Sequence, residues 1–342
     1  MLLNRSLTFD DVLLVPGYSN IESRKDVDVS VSLGGELRFN IPIVSANMDT
    51  ITSFNMAYSI AALGGLPILH RSMSIDINIV YLKTLFDDGL TCGVSVGVDD
   101  FDRASGLYDV GARIFCLDVA HAHSKLVGKC LERMRDFFED IFIIAGNVAT
   151  YAGADYLVSK GADAVKVGLG AGSVCTTREK TGFGVPQFTA IMDCARINAP
   201  IIADGGIRTP GDAVKALAAG ATMVMLGGML AGTDEAAGGT CYRGMASTEA
   251  QEENYGSVAE WRTDEGIAID VDRKGPVEGV IKDVIGGIRS GLSYAGARNI
   301  KELQRKAQFI EVTKAVVEEN KPHGESRRYR RGNRALQAPG KP

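Results

Sequence analysis

Short apolar runs recur along this chain at intervals of a few tens of residues, and polar or glycine residues bound each of them. Apolar segments that alternate with amphipathic helical segments are typical of a parallel sheet buried on both faces. Eight runs have the length and composition of such strands: 41–46, 66–70, 93–98, 114–118, 141–146, 164–167, 201–204 and 223–226.

Helical periodicity lies between and after these runs. In one segment Thr209 is a favourable capping residue, and Pro210 occupies the first turn, where its missing N–H costs nothing. Helices are predicted over 78–88, 125–139, 151–160, 187–197, 210–219, 276–290 and 300–317.

Eight strand-and-helix units indicate a closed (β/α)8 TIM barrel of the α/β class rather than an open doubly wound sheet. Residues 1–320 are expected to form this single domain. Segment 232–273 comes after the eighth strand without clear periodicity, and a long irregular excursion above a barrel mouth is usually a lid or a binding loop. We therefore expect a mobile flap after strand 8.

Composition narrows the class of protein. The 342 residues are 45% hydrophobic and 23% charged, with a net charge of −5, which fits a folded globular protein and argues against a generic nucleic-acid binder. Residues 321–342 differ, because arginines cluster there among few apolar residues. This basic tail is expected to be disordered and solvated.

The cysteines indicate the compartment. Six cysteines are scattered without CxxC or Cys/His spacing, so no zinc site is expected, and unpaired thiols in a chain of this size favour a reducing environment. No signal peptide is expected, and no apolar run approaches the roughly 18 residues of a membrane span. A soluble, cytoplasmic protein without a membrane partner is expected.

Polar residues come directly after the predicted strands, where barrels of this type carry their catalytic and binding groups. Cys175 lies after the sixth strand on a glycine-dense loop, with the hydroxyls of Ser173, Thr176 and Thr177 beside it. A nucleophilic thiol needs a polar, accessible setting, whereas a structural cysteine prefers apolar burial. The position at the barrel mouth favours a nucleophile, and a structural thiol is the alternative.

Two glycine pairs lie after strands seven and eight. Gly205 and Gly206 come after Asp204, while Gly227 and Gly228 come after the eighth strand. Loops at these places commonly bind phosphate through backbone N–H groups, and Asp204 is placed to accept hydrogen bonds from ribose hydroxyls. For either loop alone the alternative is structural, with the glycines needed for a tight turn and Asp204 needed for capping. Both loops together favour a nucleoside monophosphate.

Thr177 and Glu265 offer a proton relay, because a carboxylate can take a proton from a hydroxyl that passes it onward. The remaining candidates are His121 and His123, as acid, base or structural residues, and the carbonyl oxygens of Gly170, Gly172 and Cys175, as a weak pattern for a monovalent cation.

Six motifs carry a family resemblance: 45–50 (SANMDT), 145–148 (AGNV), 166–168 (KVG), 172–178 (GSVCTTR), 203–207 (ADGGI) and 225–229 (MLGGM). Together they resemble the inosine monophosphate dehydrogenase and GMP reductase family, over roughly residues 7–317. The resemblance implies an oxidoreductase in which Cys175 forms a covalent adduct at the purine C2, and a homotetramer.

The resemblance also implies binding residues. Phosphate and ribose would contact Ser173, Asp204, Gly205, Gly206, Gly227 and Gly228. The base would lie near Met245, Ala246, Ser247, Arg262, Asp264, Glu265 and Gly266. A potassium ion would sit among Gly170, Gly172, Cys175 and Arg178. A nicotinamide cofactor would contact Ser23, Arg24, Arg71, Asp118, Val119, Ala120, Trp261, Ser293, Tyr294, Ala295 and Gly296.

The two branches of the family differ in the fate of the adduct. The dehydrogenase branch oxidises IMP to XMP with NAD and needs an Arg-Tyr pair on its flap to activate water. Between Met245 and Glu265 no such pair is present, and 256–262 (GSVAEWR) resembles the reductase pattern with Ser257 and Trp261 substituted. Only about 20 residues separate His70 from Cys92, too few for the regulatory domain inserted in typical dehydrogenases.

Other positions are dehydrogenase-like. They are 70–73 (HRSM), 118–124 (DVAHAHS) and 204–209 (DGGIRT), and Ala171 replaces a usual proline. The missing pair concerns the chemistry itself, so the resemblance favours the reductase branch, which converts GMP with NADPH to IMP and ammonia. A dehydrogenase without the regulatory domain, and a nucleotide sensor without turnover, are the alternatives.

Overall fold

The computed structural model describes residues 5–258 and 260–320. Eight parallel strands close into a barrel, with the last strand hydrogen-bonded to the first. The predicted (β/α)8 fold is confirmed. The strands are β1 (Ile43–Ser45), β2 (Leu66–Leu69), β3 (Gly93–Val96), β4 (Ile114–Asp118), β5 (Phe142–Val148), β6 (Ala164–Val167), β7 (Ile201–Asp204) and β8 (Met223–Leu226).

A helix comes after each barrel strand and covers the outside of the barrel. Five of the eight have a Ser or Thr cap whose hydroxyl accepts a hydrogen bond from the first helical turn, including the predicted Thr209. The helices are α1 (Phe54–Ala62), α2 (Ile75–Asp87), α3 (Phe101–Asp109), α4 (Lys125–Phe137), α5 (Tyr151–Ser159), α6 (Gln187–Cys194), α7 (Pro210–Ala218) and α8 (Val277–Tyr294). Sequence reasoning missed α1 and α3.

The barrel strands are buried almost throughout, and their aliphatic side chains form one continuous core with the inner faces of the helices. Burial on both faces explains why these strands read as unbroken apolar runs. A hairpin, Val31–Gly34 with Leu37–Phe39, precedes β1. Between β2 and β3 the chain forms only α2, which leaves no room for an inserted domain.

The predicted helix over 300–317 is wrong. The chain instead forms a helix at Ile300–Lys306, a strand at Phe309–Glu311 and a short helix at Ala315–Glu319. The strand pairs antiparallel with Val12–Leu14 near the N-terminus, and the Phe309 ring packs edge-on against Phe188 at 4.8 Å between centroids. Pairing with a distant segment overrides the local helical pattern.

Residues 241–270, which we call the flap, rise from the barrel after β8. Two short strands, Cys241–Arg243 and Ala268–Asp270, pair antiparallel and enclose a helix at Thr248–Tyr255. The segment is therefore more regular than predicted. The basic tail lies outside the described residues. Within the described ranges, no helix is long and apolar enough to cross a membrane.

Candidate active site

A cavity of about 690 Å³ opens at the carboxyl ends of the barrel strands, between their loops and the flap. Strand ends of such barrels converge on one mouth, which explains how residues far apart in sequence meet there. The predicted residues that line it are Arg71, Asp118, Val119, Ala120, Gly170, Gly172, Cys175, Thr177, Asp204, Gly205, Met245, Ala246, Trp261, Arg262 and Glu265.

Cys175, Thr177 and Glu265 form a hydrogen-bonded chain in this cavity. The Cys175 thiol donates to Thr177 Oγ1 over 3.2 Å, and the Thr177 hydroxyl donates to Glu265 Oε2 over 2.7 Å. Backbone contacts fix the arrangement, because the Thr176 amide donates to the Glu265 carbonyl over 3.0 Å. A continuous path therefore exists for a proton between the thiol and the carboxylate.

Burial distinguishes Cys175 from four other cysteines. Loss of hydration raises the pKa of the Cys92, Cys116 and Cys194 thiols to about 12, and that of Cys130 to about 11. Those thiols stay protonated at neutral pH, whereas Cys175 is half-buried in a polar loop. The structure thus favours a nucleophile at Cys175 over a structural thiol.

A buried lysine joins two carboxylates at the floor of the cavity. Lys166 is 3% exposed, and its Nζ lies 2.8 Å from both Asp118 Oδ1 and Asp204 Oδ2. It also donates to Asn147, whose amide donates to Asp204 Oδ2 over 2.9 Å. Lys166 therefore fixes two predicted ligand-binding carboxylates relative to each other.

The charges of this cluster stabilise one another. Burial by itself would lower the pKa of Lys166, but Asp118 and Asp204 outweigh it, and that pKa lies well above its usual value. Burial likewise opposes ionisation of Asp118, and Lys166 nevertheless holds its pKa below the usual value. The sequence analysis named Lys166 only within the 166–168 motif and assigned it no role, although a lysine inside the apolar run 164–167 was the available signal.

The loops after β6 and β7 pack against each other. The Gln187 amide at the start of α6 donates to the carbonyls of Val167 (2.8 Å) and Asp204 (3.0 Å). Gly205 has φ of +93°, and a Cβ there would lie 3.1 Å from the Ala171 carbonyl carbon. A side chain at position 205 would be strained by the positive φ and would lie too close to Ala171. Glycine therefore allows the two loops to pack against each other.

A second cavity, of about 500 Å³, lies on the same side of the barrel, near the ends of β7 and β8. Ser173 and Gly228 line it, together with Tyr242 and Lys274. Tyr242 is 4% exposed, and burial raises its pKa above the usual value, so its hydroxyl is a hydrogen-bond donor at neutral pH. Sequence reasoning missed Tyr242. Polar donors beside glycine loops suit an anionic group.

Several predicted substrate residues have other partners. The buried Ser247 hydroxyl caps the flap helix by accepting from the Ala250 amide over 3.2 Å, and Asp264 pairs with Lys180 at 2.9 Å. Gly206, Gly227 and Gly266 line neither cavity; side chains pack against Gly206 and Gly227, and backbone packs against Gly266. His121 and His123 line neither cavity; the His123 ring packs against Tyr156.

Six predicted cofactor residues lie elsewhere on the chain. The helix α8 runs from the barrel mouth to the opposite end of the barrel, a length of about 27 Å for its residues. At that far end Arg24 donates to the Tyr294 hydroxyl over 3.3 Å, and the Gly17 amide donates to the Tyr294 carbonyl. The residues found there are Ser23, Arg24, Ser293, Tyr294, Ala295 and Gly296.

The loop around Cys175 offers carbonyl oxygens, the ligands that hard cations prefer. The Gly172 carbonyl accepts from the Cys175 amide, and the Arg178 carbonyl accepts from the Gly182 amide. Each carbonyl retains a second lone pair. Among the described residues, no cluster of His, Cys, Asp and Glu side chains forms a metal site.

Fold and site together define a (β/α)8-barrel enzyme with a hydrogen-bonded thiol, hydroxyl and carboxylate at the barrel mouth. The family model for the "IMP dehydrogenase / GMP reductase domain" matches residues 6–323. The chain belongs to this family and is an oxidoreductase.

Relatives from both branches are similar to the chain. GMP reductase 2 of Bos taurus is 40% identical, over 91% of this chain and 95% of that protein, and the GMP reductase of Onchocerca volvulus is 38% identical, over 92% and 93%. The inosine-5'-monophosphate dehydrogenase of Nitrosopumilus maritimus is 33% identical, over 94% and 99%. The alignment with this dehydrogenase spans 471 positions, so the dehydrogenase contains residues that this chain of 342 lacks.

Proposed function

We propose that the protein is a GMP reductase, which converts GMP and NADPH into IMP, ammonia and NADP. The observation that carries the proposal is the Cys175–Thr177–Glu265 chain, combined with a flap sequence that holds no Arg-Tyr pair between Met245 and Glu265. A relay provides the proton that ammonia needs in order to leave, whereas hydrolysis of the adduct needs a group that activates water. The similarity to GMP reductases over most of the chain supports this assignment.

The first half of the reaction exchanges nitrogen for sulfur at the purine C2. The Cys175 thiol passes its proton through Thr177 to Glu265, and the thiolate attacks C2, which places an electron pair on N3. Glu265 returns the proton through Thr177 to the 2-amino group. The C2–N bond breaks, ammonia leaves, and the C2=N3 double bond re-forms in the adduct.

The second half exchanges sulfur for hydrogen. NADPH, when bound, supplies hydride to C2. The electron pair displaced to N3 then expels the Cys175 thiolate, which gives IMP, and one proton from water restores the thiol. The polar floor around Lys166 holds Asp204 for the ribose and Asp118 on the cofactor side throughout.

The cavity suits a nicotinamide group next to Cys175. Arg71, Asp118, Val119 and Ala120 line it beside the thiol, and Trp261 of the flap lines it while remaining 80% exposed. We propose NADPH rather than NADH because Arg24 offers a guanidinium for the adenosine 2′-phosphate, which NADH lacks. A potassium ion held by the carbonyls of Gly170, Gly172, Cys175 and Arg178 is proposed to brace the catalytic loop.

A homotetramer is proposed as well. Arg24 and Tyr294 lie at the far end of α8, so a cofactor at the mouth of one barrel is expected to reach these residues on a neighbouring copy. The free cysteines support a cytoplasmic location, where thiols stay reduced.

The proposal is tested by supplying GMP with NADPH, and separately IMP with NAD, while following nicotinamide absorbance and ammonia. NADPH oxidation with equal ammonia release is expected only with GMP. The Cys175→Ala variant should lose turnover and keep nucleotide binding. NADH formation from IMP without GMP-dependent oxidation would contradict the proposal and favour a dehydrogenase, the activity that the 118–124 and 70–73 motifs resemble.

A further inference from the structure

A charged cluster outside the relay holds the base of the flap. Arg243, the last residue of the first flap strand, donates through Nη2 to Asp49 Oδ2 over 2.6 Å and through Nε to the same oxygen over 3.2 Å. Its Nη2 also donates to Glu253 Oε2 over 2.6 Å. Asp49 lies after β1 at the barrel mouth, and Glu253 lies on the flap helix. The guanidinium therefore joins the flap to the barrel.

The two arms of this cluster differ in burial. The side chains of Arg243 and Asp49 are 13% and 9% exposed, whereas that of Glu253 is 69% exposed. A forked contact between a guanidinium and a carboxylate away from water is strong and directional. An ion pair with an exposed carboxylate contributes little. The arm to Asp49 therefore determines where the flap base sits.

One contact to a side chain and two backbone hydrogen bonds connect the Arg243 region to the relay. The Asp49 amide lies 3.4 Å from Met245 Sδ, two residues after Arg243. The Glu265 amide then donates to the Ala246 carbonyl over 3.0 Å, while the Glu265 carbonyl accepts from the Thr176 amide. Glu265 is thus held between the segment that directly follows the Arg243 strand and the loop of the nucleophile.

We propose that Arg243, clamped by Asp49, is a positioning residue that holds the flap so that the Glu265 carboxylate stays within hydrogen-bond reach of Thr177. This inference rests on the proposed function, in which Glu265 delivers the proton to the leaving ammonia. Misplacement of a proton donor by about 1 Å costs on the order of a hundredfold in rate. Loss of the clamp should therefore lower turnover while nucleotide binding survives.

The test compares Arg243→Met, Arg243→Lys and Asp49→Asn with the control Glu253→Gln, which alters only the exposed arm. For Arg243→Met and Asp49→Asn we expect kcat for GMP-dependent NADPH oxidation to fall about 10- to 100-fold, with less than a threefold change in the GMP dissociation constant. Single-turnover ammonia release should slow more than hydride transfer. Arg243→Lys should recover part of kcat, and Glu253→Gln should stay within about twofold of the wild type.

The double variant Asp49→Asn/Arg243→Met should be no slower than Arg243→Met alone, because both changes remove the same contact. Limited digestion with a Glu-specific protease reports on the clamp without any turnover: cleavage within the flap helix should accelerate in Arg243→Met and Asp49→Asn.

Wild-type kcat in Arg243→Met, or strictly additive losses in the double variant, would overturn the inference. So would equal loss of folding in both Arg243→Met and Asp49→Asn, since that marks a structural role. A wild-type protein that shows no GMP-dependent oxidation contradicts the proposed function instead, and the cleavage pattern then still decides whether the clamp exists.

Discussion

At the scale of single residues, the proposed proton path depends on one carboxylate. Glu265 accepts from Thr177 over 2.7 Å, and the two residues are 88 positions apart in the chain. The Thr177 hydroxyl can pass a proton only if its partner can both accept and return one. An amide at position 265 keeps the shape of the side chain and removes that capacity.

Glu265→Gln should therefore lower single-turnover ammonia release by about 100-fold or more, which is the usual contribution of a general acid–base group. Hydride transfer to a preformed adduct should change far less. Rapid-quench measurement of ammonia beside stopped-flow absorbance separates the two steps, with Glu260→Gln as a flap control. Equal slowing of both steps would show that Glu265 does not serve as the proton donor.

His70 makes stability depend on pH. It lies just past β2 and is 8% exposed, and burial, opposed by Asp49 and aided by Arg103, lowers its pKa to about 4. The unfolded chain therefore binds a proton here below about pH 6.5 that the folded chain does not bind. The contribution of neutral His70 to the free energy of unfolding is fully present above about pH 6.5 and is lost progressively as the pH falls toward about 4.

His70→Asn should consequently make stability less dependent on pH. Between pH 7 and pH 5 the variant should lose about 2 kcal/mol less of its free energy of unfolding than the wild type loses. Urea denaturation of both proteins at several pH values measures this difference, and the shared carboxylates cancel in the comparison. Identical pH profiles for the two proteins would mean that folding does not shift the pKa of His70.

At the scale of elements, helix starts and strand pairings contribute separately to the stability of the fold. Thr209 caps α7 by accepting from the Asp212 amide over 3.2 Å, while Asp212 Oδ2 accepts from the Thr209 amide over 3.1 Å. The sequence predicted the Thr209 cap with Pro210 in the first turn, and the structure adds Asp212 as the reciprocal partner of a capping box.

Thr209→Ala should lower the free energy of unfolding by about 1 kcal/mol, because the Asp212 amide in the first turn of α7 loses its side-chain acceptor. Thr209→Ser should keep most of that stability, since serine offers the same oxygen. Chemical denaturation measures both variants, and turnover should stay unchanged in each. Equal stability of the alanine variant and the wild type would show that the cap contributes nothing.

Other elements depended on distant partners. The segment 300–317 has apolar spacing that fits a helix, yet Ile310 pairs with Leu13 and Phe309 packs on Phe188. Similarly, the flap strands pair Arg243 with Ala268 across 24 intervening residues. Local periodicity carries no information about such partners.

At the scale of the whole molecule, the residues predicted to bind the cofactor divide into two groups. Arg71 and Asp118 line the mouth, whereas Arg24 lies at the far end of α8. If a neighbouring copy supplies Arg24, each complete site contains residues of two chains. The defect of one variant chain can then be complemented by another.

Arg24→Glu and Cys175→Ala should each be inactive alone, and mixing them under conditions of subunit exchange should restore NADPH oxidation. Lys25→Glu changes the same charge at the neighbouring position and should remain active by itself. Sedimentation of the wild type should give a tetramer. Failure of the mixture to recover activity, with exchange confirmed by mass, would place Arg24 outside the cofactor site.

The sequence by itself determined the barrel, because apolar runs, helix caps and glycine loops are local patterns that this fold repeats, and it predicted Cys175 as the nucleophile. It also placed Asp204, Thr177 and Glu265 at strand ends or on the flap. Only the tertiary structure decided which of these residues meet. The ion pairs of Lys166 with Asp118 and Asp204, and of Arg243 with Asp49, join positions 38 to 194 residues apart. Such contacts arise from barrel closure and flap pairing, which no local pattern specifies.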